Sequence, residues 1–147
     1  MKRSRRLQTL VKLVQLAERG AREQLAQANH ELLRREQQCR QLEGYDAEYA
    51  ARWLDSGRRG VDGAELARLG AFRASLASTL AIQERAVEAA REQAALSVTR
   101  WSATRDRLRT FEDLVERTRA AESREAERRE QNSLDDLPPR REPGAAD

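Results

Sequence analysis

The stretch Asp55-Ser56-Gly57-Arg58-Arg59-Gly60-Val61-Asp62-Gly63 divides the chain into two parts. Three glycines within seven residues make a continued helix costly and favour a turn. Asp62 is a suitable N-cap for a following helix, and Glu65 stands three residues later, as in a capping box. The sequence therefore predicts that the chain reverses its direction between residues 55 and 63.

Apolar residues before this turn recur at alternating spacings of three and four, which is the pattern of a coiled-coil seam. Glu18, Arg35 and Asp46 also fall on seam positions, where we expect them to weaken the contact between helices. The pattern predicts a first helix over about residues 4–54, roughly 75 Å long. Its apolar seam residues are Leu7, Val11, Val14, Ala21, Leu25, Ala28, Leu32, Cys39, Leu42, Tyr49 and Trp53.

A second seam follows the turn and fades after Ala121. It predicts a second, longer helix over about residues 64–131, on the order of 100 Å. Two long helices joined by a short turn bury their apolar stripes by folding back on each other. We therefore predict an all-α fold, a long two-helix antiparallel coiled-coil hairpin over residues 1–131. The second seam consists of Leu66, Leu69, Phe72, Leu76, Leu80, Val87, Ala90, Ala94, Trp101, Leu108, Phe111 and Val115.

The C-terminal segment, residues 132–147, holds Pro138, Pro139 and Pro143. Proline lacks the backbone N–H that a helix requires and clashes with the preceding turn. The segment is also rich in charge and poor in large apolar residues. We predict that it is a disordered tail.

The composition excludes a thick globular core, because 36% of the 147 residues are charged and only 4% are aromatic. The 28 basic and 25 acidic residues nearly cancel, so no strong field for nucleic acid is expected. A single cysteine allows no intrachain disulfide. No segment approaches the roughly 20 apolar residues that span a bilayer, and Lys12 and Gln15 interrupt a signal-peptide pattern. These features predict a cytoplasmic protein without a transmembrane segment.

The chain offers no catalytic or metal-binding pattern. His30 has no second ligand at a suitable spacing, and the glycines of the turn precede no Gly-Lys-Ser/Thr sequence. Cys39 lies on the seam, where packing as a small apolar group is favoured over a reactive thiol, which would require a lowered pKa. The sequence predicts a protein that is not an enzyme and has no cofactor and no metal.

The few aromatic residues cluster near the predicted turn. Tyr45 lies off the first seam, Tyr49 and Trp53 lie on it, and Phe72 widens the facing part of the second helix. They form either a bulky plug that closes the tip of the hairpin or an exposed contact patch. The residues alone leave both interpretations open.

The chain begins with a basic cluster, Lys2, Arg3, Arg5 and Arg6, where the helix dipole disfavours positive charge. This cluster is a solvated end, a docking site for an acidic protein surface or a nucleic-acid contact. The alternating signs between residues 122 and 130 provide no sustained basic stripe and argue against nucleic acid.

An ordered set of motifs resembles the FliJ family, the coiled-coil stalk proteins of the flagellar type III export apparatus. Their spacing along nearly the whole chain carries the resemblance more than the heptads do. The motifs are Gln38-x3-Leu42-x2-Tyr45-x3-Tyr49, Phe72-x3-Leu76, Trp101-Ser102-Ala103-Thr104-Arg105, Leu108-Arg109-Thr110-Phe111-Glu112-Asp113-Leu114-Val115-Glu116-Arg117 and Leu134-Asp135-Asp136.

The resemblance implies three partners: the export ATPase hexamer, the cytoplasmic domain of the export gate and the chaperones of export substrates. It implies a place at the cytoplasmic face of the inner membrane at the flagellar base. It also places a gate-binding surface at Gln38, Leu42, Tyr45, Tyr49, Phe72 and Leu76. Thr79 and Gln83 depart from the small residue and the histidine usual in the family at two further positions of that surface.

Within that resemblance, we expect the basic cluster Lys2, Arg3, Arg5 and Arg6 and the overhanging end of the second helix to face the ATPase ring. The patch around Tyr45 is then expected to be at least partly exposed and to work as an interface.

Three other functions compete with this one. The first is a stalk protein of a virulence-type secretion system, which shares the architecture. The second is a generic structural coiled-coil scaffold, which a parallel homodimer would support. The third is a nucleic-acid-binding hairpin, which would show a steep dependence of binding on salt.

Overall fold

The computed structural model describes residues 2–60 and 62–136. Within them the chain forms two α-helices and no strand: α1 covers Arg3–Arg58 and α2 covers Gly63–Asp135. Long helices follow from the low content of glycine and proline outside the turn and the tail, together with an abundance of Ala, Leu, Glu, Gln and Arg. The predicted all-α class is confirmed.

The turn is shorter than the nine-residue stretch that suggested it. α1 continues through Gly57 to Arg58, because one glycine in a helix costs only about 1 kcal/mol. The break comes at Gly60, whose φ of 70° is the left-handed conformation that glycine adopts without steric cost. α2 then begins where Ala64 N–H donates to Asp62 Oδ1 at 3.3 Å, which confirms Asp62 as the N-cap.

The helices are organised in two compact units. The terminal unit comprises the described residues of 1–16 and 105–147, and the turn unit comprises those of 17–104. Within the terminal unit, Ser4 is hydrogen-bonded to Glu122, and Val11 and Val115 line one cavity. Within the turn unit, Glu18 is bonded to Trp101, and Tyr49 contacts Phe72. In each unit the partner's number falls as the residue number rises, so the helix pairs are antiparallel, as predicted.

The core is a narrow seam in which every third or fourth residue is shielded from water. On α1 the predicted seam residues from Leu7 to Tyr49 are buried or half-buried, including the polar Glu18, Arg35 and Asp46. Trp53 is an exception, with 40% of its surface exposed. On α2 the buried residues Val87, Ala90, Ala94, Ser97 and Val115 keep the same spacing.

α2 extends past the last residue that pairs with α1. Glu122 contacts Ser4 near the start of α1, and residues 123–136 are all exposed. The helix includes residues 132–135, which we had assigned to the tail, since no proline occurs before Pro138. The rest of the predicted disordered tail, residues 137–147, lies outside the described residues.

Candidate functional site

The six residues of the predicted gate-binding surface all lie in the turn unit. Gln38, Leu42, Tyr49 and Leu76 are half-buried, whereas Tyr45 and Phe72 are each 47% exposed. We call this set the aromatic patch, and its members are Gln38, Leu42, Tyr45, Tyr49, Phe72 and Leu76. The expectation that the patch is at least partly exposed is confirmed.

Tyr49 and Phe72 join the two helices within this patch. Their ring centroids are 4.6 Å apart, and the ring planes are tilted by 52°, an arrangement between stacked and edge-to-face. The Arg52 guanidinium carbon lies 5.5 Å from the centroid of the Tyr49 ring. The two rings are therefore in contact, and the pair is partly open to solvent because Phe72 is exposed and Tyr49 is half-buried.

We had predicted that the seam on α2 runs through Phe72, and this is wrong: it runs through Arg73, while Phe72 is exposed. Arg73 is half-buried, and its Nε lies 3.5 Å from Asp46 Oδ1 on α1. Its guanidinium also lies 5.5 Å from the centre of the Trp53 ring. An arginine occupies the seam because Asp46 provides a charge partner and Trp53 covers its side chain. This one-residue offset turns Phe72 outward.

Thr79 and Gln83, the two positions that depart from the family pattern, differ in exposure. Thr79 is exposed, and its hydroxyl donates to the Ser75 carbonyl at 3.1 Å. Gln83 is half-buried at a seam position. Of the two, Thr79 is the more exposed.

An open apolar groove lies next to the turn. Trp53, Leu54 and Leu66 line it, together with Gly57, Gly63, Ala67 and Gly70. Leu54 is 61% exposed. These large side chains do not close the tip of the hairpin as a plug, so the structure favours the contact-patch interpretation of the aromatic cluster. In the sequence, this groove is indicated by glycines around the turn, which leave space beside the large side chains of Trp53, Leu54 and Leu66.

The basic cluster Lys2, Arg3, Arg5 and Arg6 is exposed at the start of α1, in the terminal unit. Ser4 in its midst is buried: its backbone N–H donates to Glu122 Oε1 at 3.1 Å, and its hydroxyl donates to Glu122 Oε2 at 2.7 Å. These bonds lower the pKa of the Glu122 carboxyl and satisfy an N–H that the first turn of a helix leaves free. The sequence did not predict this contact between Ser4 and Glu122. It fixes the position of Ser4, which lies between the four basic residues of the cluster.

Glu18 occupies the seam and is buried in the turn unit. Its Oε1 accepts hydrogen bonds from Arg22 Nη2 at 2.8 Å and from Trp101 Nε1 at 3.1 Å. The Arg22 bond, followed by the Trp101 bond, lowers the pKa of the Glu18 carboxyl. We had expected this residue to weaken the seam; in the structure Arg22 on the same helix pairs with its charge, and Trp101 of α2 donates a hydrogen bond to it across the helix pair.

The remaining reactive side chains form no site within residues 2–60 and 62–136. His30 is exposed, and the described part of the chain holds no group of three His, Cys, Asp or Glu side chains placed to bind a metal. Cys39 is buried, and burial, with smaller contributions from Glu43 and Glu84, raises the pKa of its thiol. Packing is therefore favoured over reactivity at this position.

Comparison with protein families gives a match over residues 2–141 to the family described as Flagellar FliJ protein. The chain belongs to the FliJ family. Searches of curated proteins and of solved structures found no significant match.

The FliJ assignment confirms the resemblance that the ordered motifs indicated. It places the chain among the components of the flagellar export apparatus, in a family that is structural and non-enzymatic. No helix within the described part of the chain is long and apolar enough to cross a membrane. The virulence-type and generic scaffold alternatives lack such support.

Proposed function

We propose that this FliJ-family chain is a coiled-coil stalk that binds the cytoplasmic domain of the export gate through the aromatic patch. The observation that carries the proposal is the exposure of Tyr45 and Phe72 beside the fixed Tyr49 ring. Only 4% of the residues are aromatic, so a cluster of three on one surface is a marked concentration. Aromatic side chains held in one rotamer lose little entropy on binding and are frequent energetic centres of interfaces.

The charges around the patch are compatible with a protein partner. Arg73 and Asp46 form an ion pair at its edge, so charged groups border the apolar centre. An interface of this kind excludes water from the aromatic centre and leaves the polar rim solvated.

We further propose that Lys2, Arg3, Arg5 and Arg6 contact the ring of the export ATPase. All four are exposed, and the buried Ser4 between them is fixed by Glu122. Chaperones of export substrates are the third class of partner. In this proposal the protein acts at the cytoplasmic face of the inner membrane at the flagellar base, and it promotes export without chemistry of its own.

The gate contact is tested by titrating the full chain against the purified cytoplasmic domain of the gate. A Tyr45→Ala/Phe72→Ala variant is expected to weaken binding by about thirtyfold or more, since hot-spot truncations typically cost about 2 kcal/mol or more. Leu33→Ala/Ile82→Ala is the matched control, because both residues are exposed apolar groups of the same unit outside the patch. Equal binding by both variants would remove the patch from the interface.

The ring contact is tested by ATP hydrolysis of the export ATPase with and without the protein. We expect stimulation by the wild type and reduced stimulation by Arg5→Ala/Arg6→Ala. Arg68→Ala/Arg85→Ala removes the same charge from exposed positions of the turn unit and should leave stimulation intact. If the Arg5 and Arg6 variant stimulated as well as the wild type, the basic cluster would have no role at the ring.

A further inference from the structure

The two flanks of the terminal unit differ in chemistry. One flank is formed by the residues that directly follow seam positions. Arg5 and Gln8 line a cavity with Arg119 and Ser123, and Lys12 and Gln15 line another with Glu112. In an antiparallel pair the residues that directly precede seam positions then meet on the opposite flank.

That opposite flank, here named the leucine–arginine flank, consists on α1 of Arg3, Arg6, Leu10 and Leu13. On α2 it continues through Arg107, Leu114, Arg117, Ala121, Arg124 and Arg128, with Thr110 between them. All of these residues are exposed, and the three leucines are 43%, 59% and 36% exposed in chain order.

No carboxylate occurs on the leucine–arginine flank between Arg3 and Leu13 or between Arg107 and Arg128. The flank itself thus carries six arginines and no acidic residue, and the exposed carboxylates Asp113 and Glu127 lie beside it, four residues before Arg117 and three after Arg124. The cavity-lined flank differs, since Glu112, Glu116 and Glu130 alternate there with Lys12, Arg109 and Arg119. A chain with a net charge of only +3 thus concentrates positive charge on one side of one unit.

We propose that the leucine–arginine flank binds directly to the surface of an anionic lipid bilayer. Helices that lie in the membrane interface combine leucines that enter the bilayer with basic residues that interact with anionic lipids, and this flank carries both residue types. The leucine side chains would enter the boundary between head groups and acyl chains. The arginine side chains would lie along the apolar surface and place their guanidinium groups among the lipid phosphates.

The form of the flank favours a flat surface over the other anionic partners. The basic cluster proposed to contact the ring shares only Arg3 and Arg6 with this flank, and the leucines and the other four arginines lie outside that cluster. Nucleic acid would use the arginines but has no use for three exposed leucines. The proposal does not depend on the protein partners proposed above, and those are measured in separate assays.

The test is flotation of the full chain with vesicles of phosphatidylcholine alone or of phosphatidylcholine with phosphatidylglycerol. We expect binding only to the anionic vesicles. Arg107→Gln/Arg117→Gln should weaken it by about thirtyfold, because each arginine near an anionic surface contributes about 1 kcal/mol. The matched control Lys12→Gln/Arg109→Gln removes the same charge from the other flank and should weaken binding by less than about threefold. All four side chains are exposed, and circular dichroism will verify that the helices persist.

A second variant separates lipid from other polyanions. Leu10→Ser/Leu13→Ser keeps every charge and should reduce vesicle binding by about tenfold or more, while leaving any binding to DNA or polyglutamate unchanged. Three results would overturn the proposal. They are no binding to anionic vesicles, equal losses in the two charge variants, and unaltered vesicle binding by the leucine variant.

Discussion

Trp101 on α2 donates its indole N–H to the carboxylate of Glu18 on α1 at 3.1 Å, across 83 residues of sequence. Arg22 Nη2 completes the arrangement, at 2.8 and 2.6 Å from the two oxygens of the same carboxylate. A buried carboxylate in a narrow seam is favoured in the alignment that gives it a hydrogen bond from the facing helix. The pair therefore fixes the register of α1 against α2 in the turn unit, since a slip of one heptad would leave Glu18 without the indole.

Replacing this donor should destabilise the helix pair. Trp101→Phe keeps the aromatic ring and removes the N–H, so we expect the melting temperature to fall by a few degrees. Trp53→Phe makes the same chemical change at an exposed ring and should lower the melting temperature by less than Trp101→Phe does. Thermal melts followed by circular dichroism at 222 nm, the usual helix signal, provide the measurement. Equal shifts in the two variants would argue against the register role of Trp101.

Acid should weaken the same contact. The bonds from Arg22 and Trp101 hold the pKa of folded Glu18 below its ordinary value, so the carboxylate binds protons more readily in the unfolded chain. Its stabilising effect is complete above the unfolded pKa and is lost as the pH falls through the folded pKa. The difference in melting temperature between the wild type and Glu18→Gln should be largest at neutral pH and should narrow in acid. A difference that stayed constant between pH 7 and pH 3 would contradict this.

The Cys39 thiol should react slowly in the folded protein. Burial is the first cause of its raised pKa, and the carboxylates of Glu43 and Glu84 add to it. We expect a disulfide reagent to modify the native thiol at least about tenfold more slowly than the unfolded one at neutral pH. A Cys39→Ser/Ser78→Cys variant moves the thiol to an exposed position of the other helix and should react rapidly. Fast modification of native Cys39 would show that the seam opens readily at this point.

Truncation of the seam should cost much more than truncation of the surface. Val87 is buried, and Val87→Ala should lower the free energy of unfolding by about 1–2 kcal/mol. Val98→Ala is the matched control, because Val98 is 47% exposed on the same helix, and its effect should stay within about 0.5 kcal/mol. Urea titrations of both variants will compare them. A larger loss for Val98→Ala would mean that its face of α2 is covered in solution.

Periodicity was sufficient to predict the two helices, since the burial of a narrow stripe is the main contribution that holds them together. Leu7, Cys39 and Val87 are buried at the positions where spacings of three and four placed them. The end of α1 was harder to predict, because Gly57 is compatible with a helix and only the left-handed backbone of Gly60 breaks it. All three glycines of the turn can adopt the left-handed conformation, so the sequence does not show which of them will do so.

The functional surface was only partly predictable. Family motifs located Tyr45, Tyr49 and Phe72, but not the offset that makes Arg73 the seam residue and leaves Phe72 outside. A seam predicted from apolar residues alone includes Phe72, because it is the nearest large apolar residue. The seam position can also hold an arginine, here Arg73, which is paired with Asp46 and covered by Trp53. Bonds between distant polar residues, such as Ser4 with Glu122, depend on the register and cannot be predicted from spacing within one helix.

The run of small residues on α2, Ala90, Ala94 and Ser97, has a consequence for how the sequence can change during evolution. Short side chains let two helix axes approach closely, and these three residues are each buried in the seam. A larger residue at Ala94 would have to push the helices apart, whereas a smaller one at Leu108 would only leave a gap. At these three positions we expect natural variation to be confined to glycine, alanine and serine. A larger side chain should occur there only when a facing residue on α1 is replaced by a smaller one.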